Sequence, residues 1–267
     1  MKRKYNVIKD ERDDRDFIYT SKLSVSQLPQ LVDLRKSCSP IVDQGALGSC
    51  TANAIVSGLR EYMMVYLKQP LVRLSRLFLY YQERKIEGTI DQDSGAQIRD
   101  GMKVLNQMGS CPESEDPYNI ANFKKAPTKK AIKDAYQYRV KDYYRVNTLN
   151  DLKIALSENR PVVCGIKVFS SFESGKVASS GIVPMPGPEE TLLGGHAVLC
   201  VGYDEKKQLF IFRNSWGNWG DKGYFYIPYN VFNFLMMDMW TIKTLKNNSY
   251  ISKLNIWNIL KGLFGLK

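Results

Sequence analysis

Residues 43–54 read DQGALGSCTANA. A glycine-rich turn here delivers Cys50 to the first turn of a helix. A helix N-terminus carries unpaired N–H groups and the positive end of a dipole, which favour a thiolate over a thiol. Cys50 is therefore a candidate nucleophile, provided the chain supplies a base. Downstream, Ala54, Ile55, Leu59, Tyr62, Met63, Tyr66 and Leu67 recur at helical spacing, and Pro70 ends the pattern.

The same periodicity predicts helices in SRLFLYYQERK (75–85), in AQIRDGMKVLNQM (96–108, stopped at Gly109) and in TLNDLKIALSEN (148–159). The last opens with Thr148 and Asp151 in a capping-box arrangement. LVDLR (31–35) reads as a short strand, and longer strands are expected at 162–168, 196–203, 209–213, 223–227 and 239–244. A helical first half followed by antiparallel strands implies an α+β fold with a cleft between two lobes. The boundaries are expected to be an extended arm at 1–28, a helical lobe at about 39–145, a β lobe at about 146–245, and a tail at 246–267.

With 267 residues, 44% of them hydrophobic, the chain can bury a substantial core. It lacks the long apolar run of a membrane-spanning helix. Its opening, MKRKYNVIKDERDDRD, lacks the apolar centre of a secretory signal. Five cysteines show no obvious disulfide framework, although Cys38 and Cys111 lie in turn-like surroundings and could pair. Together these features favour an intracellular or virion-packaged protein. The net charge of +11 is concentrated in residues 122–145 and after Asp238. No nucleic-acid motif accompanies it, so it reads as a solvated basic face and no nucleic-acid partner is expected. The tail SKLNIWNILKGLFGLK (252–267) has apolar residues at helical spacing. It reads as docked on its own domain or a partner, with weak membrane-surface contact as the alternative. One histidine and no CxxC pair argue against a metal site, and no cofactor is expected.

His196 is the only histidine, so it alone could serve Cys50 within one subunit. It is expected to begin a strand after Gly194 and Gly195, near an open edge. Asn214, at the end of another strand, could accept the imidazole N–H and fix the tautomer, with Trp216 shielding that bond from water. The side-chain N–H of Gln44, with the Cys50 amide, could stabilise an oxyanion. Losing one such donor typically costs ~2.7–4 kcal/mol in the barrier. Nucleophile, base and orienter are the parts that acyl transfer needs.

QGALGSC (44–50), GGHAVLCVGYD (194–204) and NSWGNWGDKGY (214–224), in that order, resemble the papain-like cysteine peptidases, cathepsins included, over about Leu28 to Thr244. His196 follows Cys50 at the ~130–150-residue separation of that family. Several stretches, DERDDRDFIY near the start among them, resemble its bacterial and viral branch. The resemblance implies a two-lobed papain-like fold with a helical lobe and an antiparallel, barrel-like β lobe. It implies Cys50 as nucleophile, His196 as general base then acid, Asn214 as orienter and Gln44 in the oxyanion hole, with Cys50 and His196 resting as a thiolate–imidazolium pair. A protein or peptide substrate, cut by an endopeptidase read as a monomer, would lie against Gly95, Gly195 and Trp216. A silent binding protein on the same fold, or a transferase or deamidase using the same dyad, are the alternatives. Two positions depart from the family pattern: Leu47 stands where a disulfide cysteine is common, and Thr51 where an aromatic is.

Overall fold

The computed structural model describes residues 3–246. The helix that Cys50 opens begins as α1 (Cys50–Ala52), widens into a π-helical stretch (Asn53–Arg60) and closes as α2 (Glu61–Tyr66). Every residue from Cys50 to Met64 is buried, so this is a central helix rather than a surface one with a single apolar stripe. Its polar groups find partners inside. Asn53 Nδ2 donates to the Ser49 carbonyl at 2.8 Å, and Glu61 accepts from the Leu74 amide at 3.0 Å and from Arg73 at 2.8 Å.

α3 (Arg76–Ile86) is capped by Ser75, whose hydroxyl accepts from the Phe78 amide, and α4 (Ile98–Gln107) packs against it. α5 (Lys129–Ala135) was not expected from periodicity; Thr128 caps it by accepting from the Ala131 amide at 3.1 Å. α6 (Leu149–Ser157) opens with the predicted Thr148–Asp151 capping box.

The second half is an antiparallel sheet: β2 (Tyr144–Arg145), β7 (Met236–Thr241), β3 (Val162–Phe169), β4 (Leu192–Asp204), β5 (Leu209–Arg213) and β6 (Tyr224–Pro228), in that spatial order. β1 (Leu31–Asp33) also pairs with β4, placing Val32 opposite Tyr203. The sheet is open rather than closed into a barrel, with β2 and β6 at its ends. A single apolar cluster joins the two halves, uniting Ile55, Leu59, Leu79 and Ile98 from helices with Val163, Leu199, Phe212 and Trp240 from strands. Gly58 lets the central helix approach β4 closely: a Cβ there would lie 3.3 Å from Leu199.

All five cysteines are free. Cys111 is buried in a small separate cluster with Phe78, Ala131 and Ala135, while Cys38 borders the main core, so the suggested Cys38–Cys111 pairing does not form. The N-terminal segment crosses the molecule and includes a short 3-10 turn at Val25–Gln27. Near Asn6 it bridges Gly195, and near Ile18 it bridges Arg145 of β2. The expected tail lies outside the described residues, apart from Lys246, whose amide donates to the Arg139 carbonyl. Among the described residues no helix is long and apolar enough to cross a membrane.

Candidate active site

His196 does not begin its strand. It is the fifth residue of β4, opposite Ile166 of β3, because the leucine–glycine run before it is already paired. β4 pairs with β5, and Asn214 directly follows β5, with its amide tied to the Gly223 carbonyl at 2.9 Å. That pairing brings the imidazole and the amide together: His196 Nε2 lies 2.9 Å from Asn214 Oδ1. The Ser215 amide donates to the same oxygen at 2.8 Å, fixing it as the acceptor. Nε2 therefore carries the proton, and Nδ1 keeps its lone pair. Trp216 stacks on the imidazole at 4.9 Å between ring centroids.

α1 packs against β4, and the Cys50 sulfur sits by the Ala197 amide, one residue from His196. The fold thus carries thiol and imidazole to neighbouring positions. Among the described residues His196 Nδ1 has no hydrogen-bond partner, so no bond yet joins it to Sγ. Burial pushes the Cys50 thiol up to about 12, against the pull of the Ala197 amide, and nearby Glu83 raises it further. Burial also pushes His196 down to about 4, and the Asn214 bond only partly offsets this. Both groups are wholly buried, and burial disfavours the charge that each would carry in the expected thiolate–imidazolium pair.

Gln44 is buried beside them, with both ends of its amide engaged. Nε2 donates to the Leu47 carbonyl at 3.0 Å, and Oε1 accepts from Ser215 at 2.7 Å. These bonds orient the amide and leave its second N–H unassigned. Sequence reasoning missed Glu83, a fully buried carboxyl on α3 that accepts from Thr51, the residue after Cys50, at 2.7 Å. The only signal was Thr51 itself, a hydroxyl where an aromatic is common.

The arm lies across this site. Val7 donates to the Gly195 carbonyl at 3.0 Å, Gly195 donates to the Tyr5 carbonyl at 3.2 Å, and Ile8 donates to Ala96 at 3.5 Å. The Tyr5 ring meets His196 edge-on at 6.1 Å and Trp216 at 6.0 Å. Gly95 and Gly195 form the walls of this slot. A Cβ on Gly95 would lie 2.0 Å from the Asn6 carbonyl oxygen, and one on Gly195 would lie 2.4 Å from that of Val7. The expected substrate-binding residues Gly95, Gly195 and Trp216 thus line one groove, and the chain's own arm fills it.

The papain family cysteine protease profile matches residues 28–244. An uncharacterized peptidase C1-like protein of Acanthamoeba polyphaga mimivirus is 38% identical over 275 residues, spanning 91% of this chain and 88% of that protein. A viral cathepsin of Spodoptera litura multicapsid nucleopolyhedrovirus is 28% identical, over 77% of this chain and 59% of its own. Among solved structures, xylellain, a cysteine protease from Xylella fastidiosa, superposes with a TM-score of 0.84 at 42% identity. That match covers 92% of this chain and 99% of xylellain.

Proposed function

The chain belongs to the papain family of cysteine proteases, and from that premise we propose that Cys50 is its nucleophile, His196 its base and acid, Asn214 the orienter and Gln44 part of the oxyanion hole. The observation that carries this reading is the His196–Asn214 bond at 2.9 Å, which leaves Nδ1 unpartnered on a residue adjoining the Cys50 sulfur.

In the form shown, residues 3–8 occupy the groove. When they leave, water and substrate reach the site, the burial that disfavours charge is relieved, and the thiol proton passes to Nδ1. Opposite charges then stabilise each other. Sγ attacks the carbonyl carbon of an extended peptide lying along Gly95 and Gly195. The second Nε2–H of Gln44 and the Cys50 amide hold the oxyanion. Nδ1 returns its proton to the leaving amine, then draws one from water, whose oxygen displaces Sγ from the thioester. Asn214 keeps the ring oriented throughout, and Trp216 keeps water from their bond. A silent binding protein would need none of these four groups together, which favours hydrolysis. Residues 3–8 of the arm act as a plug carried by the enzyme itself.

The test is Cys50→Ala in the full chain. It is expected to reduce cleavage of a fluorogenic peptide, and labelling by an epoxide-type thiol inhibitor, to background while circular dichroism is unchanged. Undiminished turnover in that variant refutes the assignment.

A further inference from the structure

We propose that the groove contains an arginine-binding subsite, formed by Asp43, the Gly45 carbonyl and the face of Trp216, which selects a substrate arginine within about two residues of the bond being cut; this rests on the cysteine-protease reading above. Its imprint is the side chain that now fills it. Arg3 Nη1 donates to Asp43 Oδ1 at 2.6 Å and to the Gly45 carbonyl at 3.1 Å, and Nη2 donates to Asp43 Oδ2 at 3.4 Å. The guanidinium carbon lies 5.2 Å from the centroid of the Trp216 ring.

The receptor is built from the enzyme body rather than by the arm. The Gly45 amide donates to Asp43 Oδ1 at 2.8 Å, fixing the carboxylate, and Gly45 holds a φ of +65° that presents its carbonyl alongside. Asp43 and Trp216 face each other across an antiparallel bridge, with Gln44 donating to Ser215 at 2.9 Å and Gly217 donating to Val42 at 3.1 Å. The backbone that places Gln44 and Asn214 therefore also places the subsite. A forked carboxylate, a third acceptor and an aromatic face suit a planar guanidinium, whereas a lysine ammonium could not use the fork and the face at once.

The location ties the subsite to the reaction. Trp216 stacks directly on His196, and Arg3 stands two positions from Tyr5, whose ring touches the imidazole. A peptide that displaced the arm would meet Asp43 carrying only its Gly45 bond. An arginine side chain at the matching position would take over what Arg3 gave up. The same contacts thus serve as latch on the closed enzyme and as selector in the open one.

The experiment uses the full chain carrying Cys50→Ala and Arg3→Gln, which retains bound peptide and weakens the latch. Binding of fluorescein-labelled hexapeptides is measured by anisotropy, with one arginine scanned along the peptide against its uncharged isostere citrulline. At one register the arginine peptide is expected to bind at least tenfold tighter, and adding Asp43→Asn is expected to erase that ratio. A ratio near one at every register, or a ratio that survives Asp43→Asn, overturns the proposal. In the unaltered chain, the arginine peptide but not its citrulline twin is expected to speed alkylation of Cys50, read by mass spectrometry. Equal effects of the two would also overturn it. None of these readouts uses turnover, so failure of the protease assignment shows separately, as intact peptide with the unsubstituted chain.

Discussion

Residues 3–8 and residues 10–19 belong to one arm, yet different physics holds them. The first stretch lies in the groove on a few backbone bonds and on ion pairs at the rim, where Lys4 and Asp43 are each about half exposed (47% and 48% of the side chain). The second sinks two of its carboxylates, Asp10 and Asp16, into the body. The Asp10 amide donates to Asp238 at 2.9 Å, and its side chain accepts from the Trp240 indole at 2.7 Å and from the Arg99 amide at 3.2 Å. Asp16 is shared by two arginines: Arg99 reaches it with Nε at 3.0 Å and Nη2 at 2.8 Å, and Arg145 with Nε at 2.9 Å. Both guanidiniums also lie against Trp240. Exposed pairs are worth little, whereas breaking a buried charge network is costly. The two stretches are therefore held unequally, the first by pairs at the rim and the second, as an anchor, by a buried network, and Lys9 alone separates them.

The hardest test of that contrast is Asp16→Ala. Its side chain is 7% exposed and that of Arg99 is 8%, so the variant leaves two guanidiniums enclosed with one acid fewer. A loss of ~3–5 kcal/mol in unfolding free energy is expected, measured by urea denaturation. A loss below ~1 kcal/mol would make the two halves of the arm equivalent and break the comparison.

The same contrast shows what the sequence could reveal. Helix and strand positions were legible because their periodicity is local, and the catalytic candidates were legible because motif order along the chain mirrors their meeting across β4 and β5. The arm read only as an extended segment. Its fate depends on partners such as Arg99, Arg145 and Trp240, which lie far off along the chain and carry no pattern of their own. For the same reason, His196 looked like an edge residue until the arm was seen to cover it. The burial of Cys50 was hidden too, because it depends on what lies on top and not on the residue itself.

A second test uses pH, which should act on the two halves in opposite directions. Burial first, and then the neighbouring Asp238, push the Asp10 carboxyl up to about 6, despite the bonds from Trp240 and Arg99. The unfolded value is ~3.9. A folded pKa above the unfolded one means that Asp10 contributes its stability fully below ~3.9 and loses it as pH rises through about 6. Asp43 behaves conversely. Burial opposes its ionisation, but the bonds from Arg3 and Gly45 outweigh this and lower its pKa. Its contribution is present above ~3.9 and fades only as pH falls through the lower folded value. Between pH 7 and pH 5 the anchor should therefore tighten while the latch is unchanged. The urea midpoint gained on moving from pH 7 to pH 5 should be larger for the unsubstituted chain than for Asp10→Asn. If the two chains shift equally, the anchor is not titrating.

The smallest effect should come from Lys4→Ala, and its smallness is what sharpens the contrast. Lys4 reaches Asp93 at 2.6 Å, a length that by itself suggests a strong bond. Asp93, however, does not depend on it. Its carboxylate also accepts from the Gly48 amide at 3.0 Å and from the Tyr80 hydroxyl at 2.5 Å, and its side chain is only 11% exposed, so it stays satisfied when the lysine goes. The lysine is half exposed, so solvent screens the pair and little is lost with it. An exposed pair of this kind contributes ~0.2–1 kcal/mol. Lys4→Ala should lower the unfolding free energy by no more than that, and should raise basal peptide cleavage by no more than the corresponding ~1.4- to 5-fold. A cost approaching that of Asp16→Ala would mean that the groove segment is anchored as firmly as residues 10–19, and that the plug cannot leave without unfolding its support.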